Sequence, residues 1–238
     1  RNLLIIQARM NSTRLPGKVM MNIGKYRVIE FLIKRISKSK KIDKILIATS
    51  KNIKDDVLCE FLSQKKINFY RGEEFNVLKR FYYASKSYNP KYIIRLTADC
   101  PLIDSKMLDK MINIFESNNF DYLSNTYPST FPDGLDIEIF TFMSLKDAYK
   151  NAKTKYEKEH VTPYIRCKKK YKKFNYENEV NLSKNRWTID QKEDYELIKK
   201  IFRKLNNKVN FDWKTVLKLK EKHPNIFKSN IKIKRNEG

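Results

Sequence analysis

Two histidines, three cysteines and five glycines are all that a chain of 238 residues holds of each. The histidines are His160 and His223, and the cysteines are Cys59, Cys100 and Cys167. An odd number of cysteines with no close pairing argues against a disulfide scaffold. So few histidines beside them argue against a Cys/His zinc site. Long apolar runs are missing as well: none approaches the roughly 18 residues of a membrane span. No basic stretch, apolar run and small-residue cleavage site follow one another as in a signal peptide. A soluble protein of a reducing compartment, the cytoplasm, is therefore expected. The chain begins at Arg1, almost on top of its first apolar run, so a few residues are expected to precede it.

Acidic residues are the last scarcity: 27 against 51 basic ones, for a formal net charge of +24. Such a surface attracts nucleic acid, anionic membrane or phosphorylated small molecules. The lysines are scattered over most of the length, however, and only KKKYKK at 168–173 and KIKR at 232–235 form patches. Scattered lysines read more simply as a compositional preference displayed on solvated helix faces.

What is present is a sizeable core, with 41% hydrophobic residues, and an alternation of strands and helices. Continuous apolar runs at 3–6, 44–50 and 92–96 read as strands covered on both faces. Helical spacing marks 28–39, 55–65, 76–87, 105–117, 192–205 and 213–222. Shorter strands are expected at 68–71, 122–124, 173–176 and 186–189. LDIEIF at 135–140 alternates with Leu135, Ile137 and Ile139 on one face. The expected fold is α/β: a three-layer Rossmann-like α/β/α sandwich on a mostly parallel, mixed sheet. Its site should lie beyond the strands' C-terminal ends. One domain over 1–238 is expected, with a core at about 3–205 and a helical appendage with a basic tail at 206–238.

The loop after the first strand, QARMNSTRLPGK, is dense in positive charge. It is not a Walker A loop, which would need Gly at 12 and Ser or Thr at 19, where Ser12 and Val19 stand. Gly17 has no glycine partners at the offsets of a dinucleotide fingerprint. Phosphate binding by side chains, or an exposed basic loop without a ligand, is what remains. Arg9 and Arg14 offer forked donors, Lys18 a compact charge, and Pro16 and Gly17 a turn that aims Lys18.

This loop resembles the signature of the cytidylyltransferases that activate acidic sugars, of the acylneuraminate and 3-deoxy-manno-octulosonate type. The nearest branch is that of spore-coat polysaccharide biosynthesis proteins. Further matches follow in the family's order: IATS at 47–50, YRGEEFNVLKRFYYA at 70–84, TADCPLID at 97–104, TFPDGLDIEIF at 130–140, EKEHVTPYI at 157–165 and RWTIDQKEDYE at 186–196. The resemblance implies a nucleotide-diphospho-sugar transferase fold and transfer of CMP from CTP to an anionic sugar, for surface polysaccharide. It also implies Mg²⁺ held by Asp99 and Asp190, each just past a strand end. A turn or helix-cap role fits the same aspartates. Arg9, Arg14 and Lys18 would neutralise the triphosphate, with a further hydrogen bond from Ser12.

By the same resemblance, base recognition falls to the backbone at Ala8 and Arg9 and to Arg71 and Gly72, although Arg71 also reads as an ordinary loop cation. The acceptor side falls on Asp133, Asp136, Glu138, Glu159, His160 and Arg186. Asp136 and Glu138 share the face opposite the apolar one in LDIEIF, so a solvent-facing edge strand explains them too. Arg186, with His160 when protonated, is the expected cation for the acceptor's anionic group. The family is often dimeric, which makes a homodimer a candidate assembly. The other classes to be tested are a nucleotidyltransferase for another base, a lapsed relative acting as a binding subunit, and a basic nucleic-acid-binding protein. No recognised nucleic-acid motif supports the last, and no specific nucleic-acid or membrane partner is expected.

Overall fold

Strand β1 (Asn2–Gln7) is the centre about which everything else is arranged, and its side chains explain the layering. Leu4 and Ile6 point to one face of the sheet, Leu3 and Ile5 to the other, and none is more than 2% exposed. Both faces must therefore be covered. A computed structural model shows how, and it describes residues 1–235.

After the basic loop, a two-residue hairpin of β2 (Asn22–Ile23) and β3 (Tyr26–Arg27) leads into helix α1 (Val28–Ile36). Then come β4 (Lys44–Ser50), α2 (Asp56–Gln64), β5 (Phe69–Gly72), α3 (Val77–Lys86), β6 (Tyr92–Thr97) and α4 (Ser105–Asn118). The second half adds β7 (Tyr122–Ser124), β8 (Glu138–Thr141), α5 (Phe142–Asn151), α6 (Lys155–His160), α7 (Pro163–Cys167), β9 (Lys173–Asn175), α8 (Lys192–Lys204) and α9 (Trp213–Lys222). Side-chain caps start several helices where the sequence offers them: Asn76 before α3, Asp104 before α4, and a Thr154–Glu157 capping box at α6.

The main sheet has seven strands in the order β5-β4-β1-β6-β8-β7-β9. Its first four run parallel, and β8 is antiparallel to both of its neighbours. On the Leu4/Ile6 face, α1, α2, α4 and α8 supply Leu32, Leu58, Ile112 and Leu197 to one apolar cluster. On the other face α3, α5 and α7 supply Phe81, Leu145 and Ile165 to a second. This is the expected three-layer sandwich with a mixed sheet. Residues 206–235 pack onto it through Trp213, Val216 and Phe227, and Arg35 of α1 clamps that segment by donating to the carbonyls of Val209 and Phe211. No helix among the described residues is long and apolar enough to cross a membrane.

Two expected strands are not formed as drawn. Residues 186–189 make one isolated parallel bridge, Asp133 with Arg186, rather than a strand. LDIEIF is not a solvent-facing strand: β8 begins only at Glu138, which is buried, and Asp136 before it is half-buried. β6 and β7 flank β8, so it is not an edge strand.

Candidate active site

At the C-terminal ends of β1 and β6, paired at Gln7 and Thr97, the chain opens a cavity of about 180 Å³. Ala8, Arg9, Ser12, Arg14, Lys18, Asp99 and Asp190 all line it. Seven positions chosen from the sequence thus meet in one place.

The loop earns its shape from a few contacts. The Met10 carbonyl accepts from the N–H groups of Ser12 (3.0 Å) and Gly17 (2.9 Å), folding the loop upon itself. Gly17 has φ 72°, in the left-handed region that favours glycine, and caps the short 3₁₀ helix Lys18–Met20. Behind the loop lies Asp55, 1% exposed, which accepts from the N–H groups of Met10 (2.7 Å) and Ser50 (3.1 Å). Sequence reading gave Asp55 only to a helix start. It positions the basic loop against the end of β4.

The turn aims Lys18 inward. Its ammonium lies 2.7 Å from Asp99 Oδ2 and 2.7 Å from Asp190 Oδ1, and Arg14 Nη2 reaches Asp190 Oδ2 at 3.2 Å. Burial works against the Lys18 charge, but the two carboxylates outweigh it and hold its pKa above the ordinary lysine value. Burial likewise opposes the Asp99 charge, and Lys18 overrides it, so that carboxyl titrates below its usual range. Lys18 is thus not an open-loop residue, at 8% exposure. Adjacent Cys100 is buried, and burial raises its thiol pKa well above normal, as suits an inert packing residue.

Arg186, expected as a cation for the acceptor, is engaged by carboxylates of the chain itself. Its guanidinium pairs with Asp133 (2.9 Å), Asp194 (2.9 Å) and Asp190 (3.4 Å), and its side chain is 5% exposed. It buttresses Asp190 and lines neither the loop's cavity nor the one beside His160, but a separate cavity of about 500 Å³ with Asp133 and Arg235. Asp194 also accepts from the N–H groups of Asp190 (3.1 Å) and Gln191 (2.9 Å), so the carboxylate turn is fixed from behind. Gly134 permits this crossing. Its φ is 101°, and a Cβ there would lie 2.5 Å from the Thr188 nitrogen. Arg71 and Gly72 also stay out of the cavity. Arg71 is tied to Asp56 (2.7 Å) and to the carbonyls of Ser50 and Asn52, and Gly72 packs against Arg80.

A second cavity of about 190 Å³ shares Thr97 with the first. Asp136, Glu138 and His160 line it as expected, whereas Glu159 lines neither cavity. Glu138 is no solvent-facing group. It pairs with Arg95 and accepts from Thr162 Oγ1 at 2.6 Å and from the Tyr122 hydroxyl. Arg95 reaches back to Gln7 Oε1 at 3.1 Å, linking the two cavities. The surroundings of His160 work against its imidazolium form. Desolvation lowers its pKa, and Arg95 and Arg166 add to that against the pull of Glu159. Asp136 is paired with Arg235 from the basic tail, which turns inward. Arg95 and Arg166 went unnoticed in the sequence because nothing local distinguishes them among 51 basic residues, and Arg235 was marked only as part of the basic tail.

The model of the cytidylyltransferase family matches residues 3–233. The chain is 35% identical over 238 residues to the spore coat polysaccharide biosynthesis protein SpsF of Bacillus subtilis, covering 93% of this chain and 95% of that protein. It is 38% identical over 233 residues to the uncharacterized protein MJ1063 of Methanocaldococcus jannaschii, covering 97% and 94%. The solved structure of a cytidylyltransferase from Leptospira borgpetersenii superposes with a TM-score of 0.91 at 37% identity, over 95% of this chain and 96% of that one. Cations gathered against two converging carboxylates at the strand ends, and these likenesses along nearly the whole length, lead to one conclusion: the chain belongs to the cytidylyltransferase family.

Proposed function

We propose that the protein transfers CMP from CTP to an anionic sugar, an α-keto sugar acid or a sugar phosphate, with release of pyrophosphate. The observation that carries this reading is the convergence of Arg14 and Lys18 on Asp99 and Asp190, beside a second cavity that shares Thr97. The triphosphate belongs in the first cavity and the acceptor in the second. An acceptor oxygen, the hydroxyl of a sugar acid or a phosphate oxygen of a sugar phosphate, attacks the α-phosphorus, the bond to the bridging oxygen of pyrophosphate breaks, and a hydroxyl nucleophile passes its proton to solvent. Arg9, Arg14 and Lys18 oppose the charge on the α-phosphate and the leaving group, and Ser12 adds a hydrogen bond.

Asp99 and Asp190 would hold Mg²⁺. Their oxygens already converge on one cation, the Lys18 ammonium, and two carboxylates completed by phosphate and water suit this hard ion. Bound there, Mg²⁺ would supply charge neutralisation at the phosphates.

The likeness to a spore coat polysaccharide biosynthesis protein supports a role in surface polysaccharide. Cytosine preference rests on the family rather than on Arg71 and Gly72, which stand outside the cavity. A panel of nucleoside triphosphates with pyrophosphate detection, followed by a screen of anionic sugars, tests the proposal. Turnover with CTP over ATP, GTP and UTP is the expected result.

A further inference from the structure

The second cavity carries an unbalanced charge. Three arginines line it, Arg95, Arg166 and Arg235, against two carboxylates, Asp136 and Glu138. Arg95 is neutralised by Glu138, which is itself held by Tyr122 and Thr162. Arg235 is neutralised by Asp136, with Asp133 at 3.9 Å. Desolvation, with Arg95 and Arg166 beside it, holds the His160 pKa below the ordinary value. Arg166 is left over.

Arg166 lies on α7, the short helix opened by Pro163. Its guanidinium carbon sits 4.1 Å from the centroid of the Tyr127 ring, and its Nε is buried with no hydrogen-bond partner. No carboxylate among the described residues lies within ion-pair distance of it. A guanidinium held against a ring at a cavity wall, with no carboxylate paired to it, is preorganised for an oxyanion. It also borders a neighbouring groove of about 550 Å³ lined by Tyr122, Pro163 and Phe174, so a bound group there has room on its far side.

We infer that Arg166 is the subsite for the acceptor's anionic group, a carboxylate or a phosphate, in the place that sequence reading gave to Arg186. The inference rests on the nucleotidyl-transfer reading for the word acceptor, but the oxyanion site can be tested apart from it.

Crystals of the whole chain grown with CTP and soaked in selenate provide that test, because selenium locates the anion by its anomalous scattering. A selenate within hydrogen-bond distance of Arg166 is expected in the wild type. It should be lost in Arg166→Gln and retained at lower occupancy in Arg166→Lys. Calorimetry should show selenate binding at this site weakened roughly 10- to 100-fold in Arg166→Gln, the worth of one charge-assisted hydrogen bond. Selenate confined to Arg9, Arg14 and Lys18, or unaltered in Arg166→Gln, overturns the inference. Displacement of the Arg166 selenate by 3-deoxy-manno-octulosonate rather than by glucose 1-phosphate assigns the carboxylate, and the reverse assigns the phosphate. Pyrophosphate release from CTP is scored separately. Its absence with selenate on Arg166 sinks the enzymatic reading alone, and turnover without selenate there sinks the subsite alone.

Discussion

The ammonium of Lys18 is shared at 2.7 Å by Asp99 and Asp190, residues 81 and 172 positions further along the chain. The contact joins the first loop to the ends of two later segments, and it places a positive charge where two carboxylates would receive a metal. Lys18 therefore serves packing as well as chemistry.

Replacing it should show both. Lys18→Ala should lower CTP turnover by about 10²–10³-fold, the cost of losing one preorganised donor. It should also destabilise the fold, since two partly buried carboxylates lose their partner. The Asp99 and Asp190 side chains keep 23% and 18% exposure, so the loss should fall at or below the low end of the roughly 3–5 kcal/mol for breaking a buried pair. Thermal denaturation with and without Mg²⁺ checks this, and Mg²⁺ should restore more stability to the variant than it adds to the wild type.

Asp99→Asn should abolish most turnover, and Asp190→Asn should weaken it by a comparable or smaller factor. Each keeps the shape and removes charge that a hard cation needs. Turnover by the wild type should also disappear in EDTA and return with added Mg²⁺. Undiminished rates in EDTA would remove the metal assignment while leaving the phosphate loop standing.

Asp55 gives a test of positioning at a distance from the chemistry. Asp55→Ala leaves the N–H groups of Met10 and Ser50 without an acceptor, at roughly 1–3 kcal/mol for a buried unsatisfied group. The loop should loosen, so the KM for CTP should rise while the enzyme still folds. Steady-state kinetics beside a melting curve separates the two effects, and a variant with unchanged KM would contradict the role.

His160 should titrate below the ordinary histidine value of about 6.5. The unfolded chain then binds the proton more readily than the folded one. The histidine's contribution to stability is therefore present above that value and is lost as pH falls through it. With only His160 and His223 to assign, an NMR titration reads this directly. A pKa above 6.5 would restore His160 as a cation for the acceptor.

How much of this was legible in the sequence depended on how local the cause was. β1, β4 and β6 are covered on both faces, so each announces itself as an unbroken apolar run. Residues 186–189 mimic such a run, but their burial serves anchoring. Trp187 N–H donates to the Asp133 carbonyl at 2.6 Å and Ile189 N–H to the Asp99 carbonyl at 2.8 Å, without a ladder between them. The hairpin of β2 and β3 has two residues a side, too few to show a period. The phosphate loop and its carboxylates were legible because motif order carried them. The fates of Arg186 and Arg166 were not, because a guanidinium's role depends on which carboxylates the fold brings near it. Asp133 and Asp194 claim the first, and no carboxylate claims the second.

The most direct measurement is pyrophosphate release by the purified protein with CTP, Mg²⁺ and a panel of anionic sugars, run beside the same sugars with the acid group reduced or the phosphate removed. The account predicts release that requires CTP and the charged acceptor together. Release with an uncharged acceptor at the same rate, or with another nucleotide in preference to CTP, would contradict it.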